Sequence, residues 1–281
     1  MDRADRFDGK SAPAGTPHRA PLATVSDCGI AFMAKASAPR RTKTRLVPPL
    51  TFDEAAALNT AFLQDVADNV LLAAGLSAGG ISGYAAYGPP GSEDFFRHTL
   101  PESIDLIGAW LPNFGDCLLH TIGEVLARGH GSAVVLNSDS PTLPTTLLIE
   151  TAEVLSRPGD RAVLGPSNDG GYYLLGLKAA HRHMFADIAW STERVAEQTL
   201  ERAREIGLDV HRLPVWYDVD DVDGLRRLHA ELREQDLKQP LHGLHRPHFA
   251  KQTARLMDTL RRDHEFASRV DRLMRVEEMR A

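Results

Sequence analysis

The sequence predicts an α/β protein with a mixed, mostly parallel sheet, flanked by helices and followed by a helical C-terminal extension. Short apolar runs alternate with helical patterns along most of the 281 residues, an order typical of parallel strands joined by helical crossovers. The run at residues 133–136 is apolar throughout, as expected of a strand buried on both faces. A chain of this length with 43% hydrophobic residues suits one catalytic domain.

Strands are predicted where short apolar runs end at turn signals. In chain order they occupy residues 24–33, 81–87, 133–136, 161–164, 172–177 and 210–213. The second ends at Gly88-Pro89-Pro90-Gly91, which is a strong turn signal. Ligands of such sheets bind at the carboxyl ends of the strands, so the segments after these runs are the places to look for a site.

Helices are predicted where apolar residues recur at three- and four-residue spacing. They cover residues 53–74, 116–128, 145–155 and 192–206, with one more helix after the acidic cluster 218–223. Thr51 or Asp53 can cap the first of them, and capping is also the interpretation of Asp116. We expect a disordered tail at 1–23, a catalytic domain at 24–238 and a helical extension at 239–281.

Composition limits the partners. The formal net charge is −6, so the whole chain lacks the electrostatic signature of a nucleic-acid-binding protein, and small anions are the expected partners. No run approaches the roughly 20 apolar residues of a membrane span. Cys28 and Cys117 are interpreted as free, buried thiols, which fits a reducing cytoplasm. A homo-oligomer is compatible with the sequence, since the C-terminal extension is interpreted as a packing or oligomer element.

A cationic loop, residues 35–46, follows the first strand. It carries Lys35, Lys43 and Arg45, together with Arg40 and Arg41. Several fixed cations at a strand-to-helix turn predict a binding site for a diphosphate or triphosphate. The alternative is a solvated charged loop. A P-loop is not predicted, because no Walker pattern of Gly, Lys and Ser/Thr is present.

Acidic residues follow two other strands. Asp139 comes directly after the buried strand at 133–136, where a carboxylate could hold Mg²⁺ against phosphate oxygens. In Asp218-Val219-Asp220, alternate residues project to one side, and two such close carboxylates need a compensating cation. We favour Asp220 over Asp218 as a ligand. Helix capping is the alternative for both segments.

A glycine-rich segment, Gly165-Pro166-Ser167-Asn168-Asp169-Gly170-Gly171-Tyr172-Tyr173, lies between two predicted strands. Adjacent glycines let the backbone approach a ligand closely, and Asp169 can accept hydrogen bonds from hydroxyl groups. An ordinary turn would also favour Asn-Asp-Gly-Gly. The three tryptophans, Trp110, Trp190 and Trp216, are interpreted as core residues or pocket walls rather than as base-stacking platforms.

Taken together, these motifs resemble one family. Lys35, Pro39, Lys43-Thr44-Arg45-Leu46, Ser138-Asp139-Ser140-Pro141, Gly165-Pro166, Asp169-Gly170-Gly171-Tyr172-Tyr173-Leu174-Leu175-Gly176, Trp190-Ser191-Thr192 and Asp218-Val219-Asp220 are similar to the motifs of the DUF2064 family, over residues 26–234. That family belongs to the glycosyltransferase-A-like superfamily of nucleotide-diphospho-sugar transferases and is similar to the phospholactate guanylyltransferases. The chain departs from it at Ser37, where Pro is usual, and at Arg40 and Asn137, where Gly is usual.

The resemblance implies a Rossmann-like sheet of the glycosyltransferase-A (GT-A) type and a role for each motif. The nucleotide would be bound by Lys35, Lys43, Thr44 and Arg45, and Mg²⁺ or Mn²⁺ would be held by Asp139 and Asp220. The acceptor would lie against Asp169, Gly170 and Gly171. The residues assigned to catalysis are Lys43, Arg45 and Asp139.

The expected function is nucleotidyl transfer from a nucleoside triphosphate to a small phosphorylated acceptor, with release of pyrophosphate. Positioning, the metal and the cationic loop would supply the catalysis, because no Ser/His/Asp constellation competes. One alternative is a glycosyltransferase with a nucleotide-diphospho-sugar donor. The other is a nucleotide-binding protein without catalysis.

Overall fold

One seven-stranded mixed sheet forms the centre of the protein. The structure is a computed structural model and describes residues 27–77, 80–236, 245–266 and 268–269. The strands of the described residues are β1 (Cys28–Lys35), β2 (Ile81–Gly88), β3 (Asp105–Gly108), β4 (Ser132–Leu136), β5 (Arg161–Pro166), β6 (Tyr172–Leu177) and β7 (Asp209–Arg212). Their order across the sheet is β3-β2-β1-β4-β6-β5-β7.

The sheet is mostly parallel, as predicted. Strand β1 pairs in parallel with both β2 and β4, and β2–β3 and β5–β7 are parallel pairs too. Strand β6 runs antiparallel to β4 and to β5. The carboxyl ends of six strands and the amino end of β6 therefore lie at one edge of the sheet, which is where the cationic loop and the acidic segments begin.

Helices cover both faces of this sheet. They are α1 (Phe52–Leu76), α2 (Glu93–Thr99), α3 (Phe114–Ala127), α4 (Thr145–Ser156), α5 (Val195–Glu205), α6 (Val222–Asp236) and α7 (Lys251–Arg261). Short 3₁₀ turns lie at Thr44–Leu46 and Arg182–Phe185.

The alternation of side chains along the central strands divides the core into two. Ile30 and Phe32 of β1 pack in the larger cluster, with residues of α1, α4, α6 and α7. Ala31 points to the other face, where α3 and α5 cover the sheet. Strand β4 behaves in the same way, and all five of its residues are buried. Burial on both faces explains why this run is apolar throughout.

Side chains cap the starts of α1 and α3, although not always the predicted ones. Thr51 caps α1 in a reciprocal capping box, in which the Glu54 backbone N–H donates to the Thr51 hydroxyl and the Thr51 N–H donates to the Glu54 carboxylate. In α3 the cap is Asn113, whose side chain accepts from the Gly115 N–H at 2.9 Å. Asp116 is not the cap; it lies in the first turn, where an acid is favoured by the helix dipole.

Two short elements were not predicted. Helix α2 has seven residues, and the edge strand β3 has four residues of which one is buried, so neither shows a periodic apolar pattern. Predicted bounds also shift, since β1 extends to Lys35 and α5 begins at Val195 rather than residue 192. The predicted tail at 1–23 and residues 24–26 of the first predicted strand lie outside the described residues.

The described part of the predicted C-terminal extension packs onto α1. Met257 and Leu260 of α7 belong to the core cluster that covers α1. The buried carboxylate of Asp65 in α1 accepts the backbone N–H groups of Gln252 and Thr253, both at 2.8 Å, and so satisfies the start of α7. Helix α7 is shorter than the predicted helical tail over 247–280, most of whose remaining residues lie outside the description.

The fold also bears on the state of the cysteines and on membrane-spanning helices. Cys28 and Cys117 are free and buried, as predicted. Across the described ranges, none of the helices combines the length and the apolarity that a membrane span requires.

Candidate nucleotide-binding and metal-binding site

A cleft of about 820 Å³ opens at the edge where the strands end. Its walls come from the loop after β1, the ends of β2, β3 and β4, the turn before β6, and residues 218–220 after β7. Four cationic side chains line it, namely Lys35, Arg41, Lys43 and Arg45. The predicted phosphate-binding cations and the predicted acidic ligands therefore share one cleft.

Local hydrogen bonds shape the cationic loop. Lys35 donates from Nζ to the Arg41 carbonyl at 2.8 Å, and Asn59 of α1 donates to the Lys35 carbonyl and to the Ser37 hydroxyl. Arg40 has a φ of 64°, in the left-handed region that favours glycine, which agrees with the Gly usual there in the resembling family. Its guanidinium lies over the Phe52 ring, 4.6 Å from the centroid, and does not line the cleft.

Lys43 lies at the centre of the site. Its Nζ is 2.6 Å from Asp139 Oδ1 and 2.9 Å from Asp220 Oδ1, and it donates to the Val219 carbonyl at 2.9 Å. An ammonium has three N–H donors, so all three are engaged. Its side chain is 5% exposed. Burial alone would lower the pKa of Lys43, but the carboxylates of Asp139 and Asp220 outweigh it and raise that pKa.

This geometry brings the two predicted metal ligands together. Asp139 and Asp220 face one cation from different strand ends, 81 positions apart in the printed sequence. Neither of them caps a helix, because Pro144 precedes α4 and the Asp221 side chain accepts from Gly224 near the start of α6. The capping alternative is therefore wrong for both residues.

A buried polar network joins the two acidic segments. The Val219 N–H donates to the Asp139 carbonyl at 2.9 Å, and the Ser140 hydroxyl donates to the Tyr217 carbonyl at 2.8 Å. The Tyr217 hydroxyl donates to the Glu231 carboxylate of α6. Because these bonds cross between the segments, they fix the distance between Asp139 and Asp220.

The donor set suits a hard divalent cation. Asp139 and Asp220 already share one positive charge, the Lys43 ammonium, which shows that their oxygens converge on a point where a cation is stable. Within the described ranges, no group of three or more His, Cys, Asp or Glu side chains is arranged to hold a metal. Two carboxylates nevertheless fit Mg²⁺, which usually takes one or two together with phosphate oxygens and water.

Asp218 lies beside this pair and is electrostatically strained. Burial, followed by the nearby charges of Asp169, Asp220 and Asp139, raises the pKa of Asp218 to about 6. This carboxylate shows that the cleft has an excess of negative charge around its centre. A cation in addition to Lys43 would relieve that excess.

The Asp169–Gly171 turn forms another wall of the cleft. The Asp169 side chain accepts from the Gly171 N–H at 2.8 Å, and both residues line the cleft. Gly170 does not line it. Its φ is 88°, and a Cβ there would lie 2.0 Å from the Glu193 carbonyl oxygen, so Gly170 allows the turn to pack against the segment before α5. The expected contact of Gly170 with an acceptor is thus replaced by a structural role.

The remaining predicted residues are the Thr44–Arg45 pair and the tryptophans. Thr44 and Arg45 are exposed and line the cleft, so they are accessible to a ligand. Trp216 is buried in the core, as one of the two interpretations had it, and Trp190 lines the cleft. The prediction missed Phe114 as a cleft residue; its signal was an exposed aromatic at the start of an amphipathic helix.

A smaller recess of about 370 Å³ adjoins the cleft. It shares Arg45, Asp169, Asp218 and Asp220 with the cleft. Arg227 also lines it, with its guanidinium 4.0 Å from the centroid of the Tyr217 ring. Asp221 and Asp223 line it too, so the recess offers two arginines among five aspartates.

The fold and the comparisons place the protein in one class, the transferases with the nucleotide-diphospho-sugar transferase fold. A solved structure from Desulfovibrio desulfuricans G20, provisionally described as a nucleotide-diphospho-sugar transferase, is 25% identical and has a TM-score of 0.71. The match covers 87% of this chain and 98% of the other.

Two further solved structures are more distant. CMP:2-keto-3-deoxy-manno-octonic acid synthetase complexed with CTP is 12% identical, with a TM-score of 0.48 over 75% of this chain and 100% of the other. A cytidylyltransferase from Leptospira borgpetersenii serovar Hardjo-bovis (strain JB197) is 9% identical, with a TM-score of 0.48 over 86% and 96%.

The family comparison agrees with the motifs. Residues 71–192 match the model of DUF2064, which is described as an uncharacterized protein conserved in bacteria. This match confirms the resemblance over that range, which includes the motifs at 138–141, 165–176 and 190–192; the cationic loop and residues 218–220 lie outside it. No curated protein matches the chain.

Proposed function

We propose that the protein is a metal-dependent nucleotidyltransferase, which joins a nucleoside triphosphate to a small phosphorylated acceptor and releases pyrophosphate. The observation that carries this proposal is the convergence of the cationic loop and two acidic strand ends in one cleft. A triphosphate and a divalent metal need these two sets of groups, and they need them side by side.

The cations of the loop would bind and orient the polyphosphate. Arg41 and Arg45 are exposed at the cleft, and a guanidinium can bind phosphate oxygens in a bidentate manner. Lys35 and Thr44 would complete the phosphate contacts. All three N–H groups of Lys43 are engaged, by Asp139, Asp220 and the Val219 carbonyl, so its contact with phosphate requires it to release at least one of these partners.

Asp139 and Asp220 would hold Mg²⁺ or Mn²⁺, and the metal would neutralise charge on the phosphates when it is bound. The acceptor oxygen would attack the α-phosphorus in line; a new O–P bond forms and the α–β bridging bond breaks. Pyrophosphate leaves with that electron pair. Positioning by Arg41 and Arg45 would act together with the charge neutralisation that the metal would supply, and a covalent nucleophile is not needed.

The recess beside the cleft is the proposed acceptor site. Arg227 could bind an acceptor phosphate, and Asp169 could accept hydrogen bonds from its hydroxyl groups. Gly171 would contribute backbone at this wall. These contacts lie next to Asp218 and Asp220, so the acceptor oxygen would reach the reacting phosphorus over a short distance.

The test is pyrophosphate release with each nucleoside triphosphate, Mg²⁺ and a panel of phospho-acids and sugar phosphates. The proposal expects release with one acceptor class and a loss of roughly 10²-fold in Asp139→Asn. Asp160→Asn is the matched control, because Asp160 pairs with His181 on the surface and does not line the cleft. Absence of release with every pair would contradict the proposal.

Glycosyl transfer from a nucleotide-diphospho-sugar is the second candidate. It is favoured by the description of the similar Desulfovibrio structure. Comparing the thermal shifts produced by nucleoside triphosphates and by nucleotide sugars, each with Mg²⁺, distinguishes the two donors. A protein that binds nucleotides and catalyses neither reaction would correspond to the non-catalytic alternative.

A further inference from the structure

One end of the cleft carries an aromatic wall, formed by Trp110, Phe114 and Trp190. Trp110 and Phe114 are each 51% exposed, a large fraction for aromatic side chains beside a polar site. All three line the same cleft as the cationic loop. Exposed aromatic faces inside a cleft are surfaces on which a flat ligand group can stack.

Trp110 is fixed in this position by glycine. It follows β3, and its ring packs directly on Gly88 at the end of β2. A Cβ at position 88 would lie 2.1 Å from Trp110 Cε3, so any other residue would push the ring away. One face of the indole therefore packs against backbone, and the other face is open to the cleft.

The second part of the aromatic wall, Phe114 and Trp190, also packs against a glycine. The Phe114 and Trp190 rings meet edge to face, with centroids 5.4 Å apart. The Trp190 indole packs over Gly115 at the start of α3, where a Cβ would lie 2.8 Å from Cζ2. Two glycines at separate strand and helix ends thus hold the aromatic wall against the cleft.

The floor at this end is small and apolar. It is formed by Ala86 and Ala109 at the ends of β2 and β3. Cys117 of α3 also lines it, but its sulfur already contacts the backbone N–H and carbonyl of Leu111. Apart from the indole N–H groups of Trp110 and Trp190, the side chains named for this end offer no unengaged hydrogen-bonding group to the edge of a ring.

The position of the aromatic wall in the sheet indicates which part of a nucleotide binds there. The aromatic wall borders β3 and β2, next to the loop after β1, whereas the acidic segments and the recess lie on the β4–β7 side. In a nucleotide the base and the polyphosphate are covalently joined, so the base must occupy a surface beside the phosphate-binding loop. The acceptor then takes the other side.

Resting on the proposed function, we infer that the aromatic wall binds the nucleobase of the donor by stacking, and that the protein accepts all four bases with similar affinity. Stacking tolerates any base, since every base has a π-face, while base selectivity requires hydrogen bonds to the edges. The same contact serves a nucleoside triphosphate and a nucleotide sugar.

The experiment measures binding of ATP, GTP, CTP, UTP and inorganic tripolyphosphate, each with Mg²⁺, by calorimetry. Wild type should bind the four nucleotides within about threefold of one another. Trp110→Ala should weaken all four by about tenfold or more and leave tripolyphosphate unchanged, and Trp110→Phe should restore most of the loss. Phe249→Ala is the matched control, because Phe249 is 49% exposed and lies away from the cleft.

Other outcomes overturn the inference. Unchanged nucleotide affinity in Trp110→Ala contradicts stacking at this wall, and a preference of about 100-fold for one base contradicts the predicted tolerance. If wild type binds tripolyphosphate and no nucleotide, the base-binding inference fails while the phosphate site stands. If neither binds, the proposed function fails and the inference fails with it. Retained tripolyphosphate binding also shows that the variant is folded.

Discussion

Replacing Lys43 with Met tests the interpretation of Lys43 as the cation that compensates two facing carboxylates. Met has a similar length and no charge, so the variant keeps much of the packing of the side chain while the ammonium is lost. Asp139 and Asp220 would then repel each other across the position that the ammonium occupies. The variant should be less stable, and it should respond more strongly to divalent metal.

The size of the effect follows from the burial of the three groups. Breaking a fully buried ion pair costs about 3–5 kcal/mol. Here only Lys43 is buried; the Asp139 and Asp220 side chains are 33% and 45% exposed, so water screens their repulsion. We therefore expect the free energy of unfolding at pH 7 to fall by roughly 1–3 kcal/mol.

Chemical denaturation with and without Mg²⁺ is the assay. In Lys43→Met, Mg²⁺ should recover part of the lost stability, because the metal no longer competes with the ammonium for the two carboxylates. Lys178→Met is the matched control, since Lys178 donates to the Arg157 carbonyl and has no carboxylate partner in the site. Equal stability of Lys43→Met and wild type, with an equal response to Mg²⁺, would refute the reasoning.

Three more variants test the surrounding structure. Gly170→Ala should lower the free energy of unfolding by more than about 1 kcal/mol, because Gly170 has a positive φ and lies against backbone. Gly123→Ala, in open space on α3, should raise it by about 0.4–1 kcal/mol. Denaturant melts of the two variants measure the difference, and equal effects would be inconsistent with a constrained turn at Gly170. Tyr217→Phe removes a donor from the buried Glu231 carboxylate and should cost about 1–3 kcal/mol, so an unaltered melt would exclude a stabilising network. Burial lowers the pKa of His248 from 6.5 to about 4, so the folded state disfavours the charged imidazole. As pH falls from 6.5 towards 4, wild type should therefore lose stability relative to His248→Asn, by up to about 1.4 kcal/mol per pH unit. A difference in stability that does not change with pH would contradict this.

The sheet could be predicted because its central strands carry their own signals. The run at β4 is apolar throughout since both faces are covered, and the motifs that follow the strands mark the functional edge. Strand β3 could not be predicted, because a four-residue edge strand with one buried residue gains its structure from pairing with β2. Pairing of that kind leaves little periodicity in the sequence.

The residue types of the site were predictable, but their contacts were not. Cations after one strand and acids after two others indicated that they would meet at one edge of the sheet. That Lys43 spans Asp139 and Asp220 depends on a pair 177 positions apart, for which the local sequence holds no signal. Pocket walls were one interpretation of Trp110 and Trp190, but their assembly with Phe114 into one surface was not predicted, since it depends on contacts such as that of Trp110 with Gly88 of a neighbouring strand.

The most direct test of the central claim is calorimetric titration of a non-hydrolysable nucleoside triphosphate into wild type, Asp139→Asn and Asp220→Asn, with and without Mg²⁺. The structure predicts metal-dependent binding to wild type and a loss of about tenfold or more in each variant. Binding that needs no metal and is unchanged in both variants would contradict a shared metal and polyphosphate site.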